Sequence, residues 1–104
     1  MERYKVEITP DADRDMDGIF AYISEKLHAP VAAHGLIERM YAELDALKTM
    51  PARYPLSRDA FLARQGFRLL VVDHYIAFYV VDKAGHRVIV HRVIYGKRDY
   101  SRLF

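Results

Sequence analysis

The hydrophobic periodicity of this chain predicts an α+β domain in the order β-α-α-β-β-β, with a helical hairpin packed on a mainly antiparallel sheet. Three observations carry it. Between residues 10 and 50 the apolar residues recur every three or four positions, the period of an amphipathic helix. That stretch is broken once, at His28-Ala29-Pro30, which makes two helices joined by a short turn. After Gly66 the pattern changes to runs of Val, Ile, Phe and Tyr separated by short polar turns, as in a strand meander.

The elements follow in order. Tyr4-Lys5-Val6-Glu7-Ile8 alternates apolar and polar, as a half-buried strand does. Thr9 can cap a helix, Pro10 suits its first position, and Asp11 and Asp13 favour the positive end of its dipole. Ala12, Met16, Ile19, Ile23 and Leu27 form the apolar stripe of this first helix. Pro30 opens a second helix whose stripe is Ala33, Leu36, Ile37, Met40, Leu44 and Leu47, and Pro51 ends it. Residues 51–65, with Pro51, Pro55, Ser57 and several Arg, read as a loop. The strand candidates are Phe67 to Asp73, Tyr75 to Val81 and Arg87 to Tyr95. Asp73-His74 and the stretch from Asp82 to His86 are short enough to be hairpin turns.

A chain of 104 residues suits one domain, residues 1–104, and its 52% hydrophobic content is enough for a core at this size. The absence of Cys excludes disulfides and Cys-based zinc sites. No apolar run approaches the roughly 20 residues of a membrane span. The start of the chain enters a strand pattern without a signal-peptide core, so a cytoplasmic protein is expected. His28, His34, His74 and His86 show no ligand spacing, and no metal or other cofactor is expected. The helical pattern runs through Asp11, Asp13, Asp15 and Asp17, which read as a solvated helix face and not as a calcium loop. Charge is lopsided. Residues 1–50 carry 6 Lys/Arg against 10 Asp/Glu, and residues 51–104 carry 10 against 4. The basic half suggests an acidic or polyanionic partner.

The order and spacing of several pieces resemble the RelE/ParE superfamily of type II toxin–antitoxin toxins, closer to the ParE-like branch. The pieces are Pro10-Asp11-Ala12-Asp13-Arg14-Asp15-Met16 with Ile19-Phe20-Ala21-Tyr22-Ile23, then Leu44-Asp45-Ala46-Leu47 ahead of Met50-Pro51. They continue with Gly66-Phe67-Arg68, Tyr75-Ile76-Ala77-Phe78-Tyr79 and Arg92-Val93-Ile94-Tyr95-Gly96-Lys97-Arg98-Asp99. The resemblance implies a small toxin neutralised by a cognate antitoxin, which wraps it with a C-terminal segment, in a heterotetramer or larger complex. RelE-like members cleave mRNA in the ribosomal A site, whereas ParE-like members inhibit DNA gyrase.

Metal-free RNA cleavage needs a base for the 2′-hydroxyl, cations for the phosphorane and an acid for the leaving oxygen. The resemblance places RelE-type cations at Arg68 and Arg98, which are kept, and at Leu70 and Ile76, which are not. It places the proton-transferring tyrosine at Phe104, which cannot ionise. Loss of a positioned acid costs on the order of a hundredfold. The expected function is therefore growth inhibition by binding a target such as gyrase, without catalysis. Arg68, Arg92, Lys97, Arg98, Tyr100 and Arg102 are the expected target-binding residues. The alternative is a metal-independent mRNA endonuclease acting on the ribosome, drawing on Arg68, His91, Arg92, Tyr95, Arg98 and Tyr100. A second alternative is a degenerate module that binds antitoxin without toxicity. Strict alternation along the last strand puts His91 with Ile89 and Val93, and Arg92 with Val88, Val90 and Ile94. Phe20, Tyr22 and Tyr41 lie off the main helical stripes, a surplus that hints at a groove for a partner.

Overall fold

The computed structural model describes residues 3–96 and Phe104. Strand β1 (Lys5–Ile8) leads into helix α1 (Pro10–Ala21), which ends in a wide π-helical turn, Tyr22–Lys26. Helix α2 (Pro30–Asp45) follows and tightens into a 3-10 turn, Ala46–Lys48. A second 3-10 turn (Pro51–Arg53) and a short helix α3 (Ala60–Arg64) precede β2 (Arg68–Val72), β3 (Tyr75–Asp82) and β4 (Arg87–Tyr95). The sheet order is β1-β4-β3-β2. The three late strands form the expected antiparallel meander, and β1 adds to β4 in parallel.

The start of α1 is set by Thr9, whose hydroxyl oxygen accepts the Ala12 N–H at 3.1 Å. The same hydroxyl donates to the His91 carbonyl at 2.9 Å, so the cap also ties the helix to β4. Pro10 and Pro30 each occupy a first helical position, where a missing N–H is harmless. The chain turns after α2 with Arg53 as a cap. Its guanidinium donates to the carbonyls of Thr49 at 2.6 Å and Ala46 at 3.0 Å.

The helical hairpin covers one sheet face. Met16, Leu36, Met40, Leu44 and Leu47 pack there against Leu70, Ala77, Tyr79, Val88 and Val90. Tyr79 is fully buried, and its hydroxyl donates to the Pro51 carbonyl at 2.6 Å. Burial pushes this phenol up to about 12.

Residues 51–65 contain more structure than the expected loop. Asp59 caps α3 by accepting the Leu62 N–H at 3.1 Å, and Ser57 Oγ accepts the Asp59 N–H at 3.1 Å. Leu62 then enters a second apolar cluster with Phe67, Phe78 and Ile94 on the other face of the sheet. A helix of five residues is too short to register as periodicity.

Strict alternation fails in β4. Arg92 pairs with Phe78 and Val90 with Tyr79, so His91 is the extra residue of a β-bulge. Beyond the bulge the faces exchange. Val93 joins the helix-side core with Val88 and Val90, while Ile94 joins the second cluster. The groupings of Val93 with His91 and of Ile94 with Val88 and Val90 are thereby corrected. Asp15 also departs from the solvated face expected of it, because it is turned toward β4 and only 15% exposed.

Candidate functional site

The bulge brings Arg92 to Asp15 on α1. Arg92 Nε and Nη2 donate to the two carboxylate oxygens at 2.7 and 2.9 Å, and the Val93 N–H donates to the same carboxylate at 2.9 Å. This fork is bidentate and sheltered, with Arg92 only 21% exposed. The hydrogen bond that Arg92 donates to Asp15 raises the Arg92 pKa above the ordinary guanidinium value.

Arg68 is likewise occupied: its Nη1 donates to the Tyr54 carbonyl at 2.6 Å, stitching β2 to the segment before α3. His91 lies across the sheet from the helices, with its ring edge-on to Phe67 at 5.2 Å. Burial lowers the His91 pKa below its ordinary 6.5. Phe104 packs between rings of the second cluster, 4.9 Å from Phe67 and 5.1 Å from Phe78. Leu70 is fully buried in the helix-side core, and Ile76 lies against the second cluster. The positions of Leu70, Ile76 and Phe104, where a nuclease would hold ionisable groups, are thus apolar packing positions. Lys97, Arg98, Tyr100 and Arg102 lie outside the described residues.

Tyr95 ends β4 and meets Tyr75 edge-on at 5.7 Å. Burial raises the Tyr75 pKa, and the neighbouring Tyr95 and Tyr22 phenols add to it. Gly96 follows directly. The sequence suggests a change of chain direction there, but the positive-φ glycine is Gly66. At Gly96 the requirement is close approach: its N–H donates to the His74 carbonyl at 2.7 Å, and an added Cβ would stand 3.1 Å from that oxygen.

These tyrosines border an open groove of about 1030 Å³ between the helical hairpin and the end of the sheet. Ile19, Tyr22 and Ile23 form one wall and Val31, Leu36 and Arg39 the other, with Tyr75, Val93 and Tyr95 at the sheet end. Tyr22 and Val31 are 54% and 84% exposed. Of the off-stripe aromatics, Tyr22 lines the groove, while Phe20 stacks edge-on against His34. The π-helical turn widens the backbone where Tyr22 and Leu27 stand exposed. The volume stands at the upper end of the roughly 300–1,000 Å³ of small-molecule pockets, and the groove is open enough for a polypeptide segment.

The family model described as the ParE toxin of the parDE type II toxin–antitoxin system matches residues 6–100. The chain belongs to the ParE toxin family. The match spans most of β1, the helical hairpin, the meander and the site residues as far as Tyr100.

Two solved structures show the same fold. One, the chromosomal ParDE toxin–antitoxin system from P. aeruginosa, is 18% identical with a TM-score of 0.72, covering 89% of this chain and 96% of that one. The other, the RelBE2 toxin–antitoxin complex from Mycobacterium tuberculosis, is 20% identical with a TM-score of 0.60, covering 89% and 98%. No curated protein sequence matches the chain significantly.

For this ParE-family chain, periodicity could not show that Asp15 is the partner of Arg92, because the bulge is invisible in sequence. It also gave no sign that Tyr75 lines the groove. Among the described residues, no helix is long and apolar enough to cross a membrane. No His, Asp and Glu side chains are grouped there in a way that could hold a metal ion.

Proposed function

We propose that this protein is the toxin of a type II toxin–antitoxin pair, that it stops growth by binding DNA gyrase, and that a cognate antitoxin neutralises it. The observation that carries the target reading is the state of the nuclease positions. Leu70 and Phe104 supply no charge, Arg68 is held by a backbone carbonyl, and Arg92 by Asp15. His91 is half-buried, its ring packed edge-on against Phe67 on the sheet face opposite the helices. Cleavage would need a free acid and base facing the scissile phosphate, and these groups are engaged in packing instead.

The groove supports the partner reading. Its exposed Tyr22 and Val31 and its apolar floor suit an amphipathic segment laid between the helices and the sheet end, which is how helix-in-groove recognition works. An antitoxin segment with an apolar stripe would bury this surface.

Three assays test the reading. Purified protein at micromolar concentration should inhibit gyrase supercoiling, and no inhibition would remove the target. Ribosome-bound mRNA should remain uncut, and new cleavage ends would favour the endonuclease. Growth arrest on expression should be relieved by the neighbouring small open reading frame if it encodes the antitoxin.

A further inference from the structure

Among the described residues, most cations of the basic half are already used. Between residues 51 and 96, Arg53 and Arg68 bond backbone carbonyls, Arg87 pairs with Asp82 and Glu7, and Arg92 pairs with Asp15. Among the described residues of that stretch, Arg58, Arg64 and Lys83 have neither ion pair nor hydrogen bond. Lys83 sits alone in the turn between β3 and β4, whereas Arg58 and Arg64 stand three residues either side of Phe61. Phe61 is 54% exposed and nearby Leu56 is 45% exposed.

This exposure is not slack structure. Ser57 donates its N–H to the Phe67 carbonyl at 2.9 Å, Asp59 caps the helix, and Leu62 is buried in the second cluster. The segment is fixed while presenting two apolar side chains and two unspent guanidinium groups to solvent. Such preorganisation lowers the entropy cost of binding.

We infer that residues 56–64 form a docking surface for an acidic protein target, with Phe61 and Leu56 as apolar anchors and Arg58 and Arg64 as the groups that meet its carboxylates. Aromatic and Arg side chains around an apolar centre are the composition of protein interface hot spots. Nucleic acid fits less well, since strand binding uses several stacking rings and many phosphate contacts, and here there are one ring and two cations. The inference rests on the proposed reading of a toxin with a protein target. It adds a surface on the sheet face opposite the helical hairpin, away from the groove assigned to the antitoxin.

The test compares wild type with Arg58→Glu/Arg64→Glu, Arg58→Lys/Arg64→Lys and Phe61→Ser. Growth arrest, gyrase inhibition, antitoxin affinity and thermal melting are measured for each. The charge reversal and Phe61→Ser should each weaken growth arrest and gyrase inhibition by about tenfold or more, with melting and antitoxin affinity unchanged. The double Lys variant should keep most of the activity. A folded charge-reversed protein that arrests growth as fully as wild type overturns the docking surface. If wild type arrests growth without affecting supercoiling, and the variants lose that arrest, gyrase falls as the target and the surface stands. If wild type does not arrest growth, the toxin reading falls, and the surface with it. If the substitutions weaken binding of a single-stranded oligonucleotide with a steep salt dependence instead, the site binds nucleic acid and the protein-docking inference is overturned.

Discussion

Asp15→Ala should destabilise the fold more than Arg92→Ala, although the two residues form one ion pair. The Asp15 carboxylate accepts two guanidinium hydrogen bonds and the Val93 N–H. Removing it strands a sheltered cation and a backbone donor together. Hydrogen bonds to charged groups contribute about 1.5–3 kcal/mol, and breaking a fully buried pair costs about 3–5 kcal/mol. With Arg92 21% exposed, a loss of roughly 2–4 kcal/mol is expected for Asp15→Ala. Arg92→Ala leaves Asp15 its bond to Val93 and access to water, so its loss should be smaller by roughly 1 kcal/mol. Urea denaturation of both single variants and the double variant closes the cycle, and a coupling of roughly 1–3 kcal/mol is expected. Additive effects, or a larger loss for Arg92→Ala, would refute the clamp and return Arg92 to the set of free cations.

The other expectations are narrower. Tyr79→Phe leaves the Pro51 carbonyl without its donor and should cost roughly 1–3 kcal/mol. Because the Tyr79 pKa is raised from 10.0 to about 12, its contribution is complete below pH 10.0 and is lost as pH rises toward 12. Tyr79→Phe should flatten that alkaline arm in denaturation curves, and an unchanged arm would count against the buried phenol. The His91 pKa is depressed from 6.5, so its neutral form contributes stability above 6.5 that is lost as pH falls through the folded value. Replacing His91 by Phe should remove this acid sensitivity when urea midpoints are compared between about pH 8 and pH 5. Arg98→Ala should abolish growth arrest while leaving antitoxin affinity largely intact, and retained toxicity would show that the basic stretch after Gly96 is not the effector.

What the sequence makes legible is local chemistry. Thr9 and Pro10 mark the start of α1, Pro30 the start of α2, and the β-branched runs mark β2 to β4, because caps and periods act between near neighbours. What escapes depends on partners far along the chain. Asp15 looks like its acidic neighbours until β4, some 77 residues away, presents Arg92. The bulge at His91 inserts one residue and exchanges two side chains between faces, which no alternation rule anticipates. Gly96 is recognisable as special, but its reason is the His74 carbonyl lying against it. For the site, the consequence is direct. Arg68 and Arg92 read as candidate effectors because their charge is visible in sequence, whereas the Tyr54 carbonyl that holds Arg68 and the Asp15 carboxylate that pairs with Arg92 are not.

An antitoxin could act through the groove alone. The groove runs out at Tyr95, and the Gly96 N–H is held there by the His74 carbonyl. A segment lying in the groove would therefore reach the end of β4 on the helix side of the sheet. Arg58, Phe61 and Arg64 belong to the segment covering the opposite sheet face. A groove-bound segment can fill the helix-side groove without reaching α3. The toxin–antitoxin complex should then keep a weakened, salt-sensitive affinity for the target, lost on Arg58→Glu/Arg64→Glu. Surface plasmon resonance at low and at physiological salt would read it. A complex with no residual affinity at low salt would mean that the antitoxin extends around to α3, and neutralisation would be occlusion of both faces.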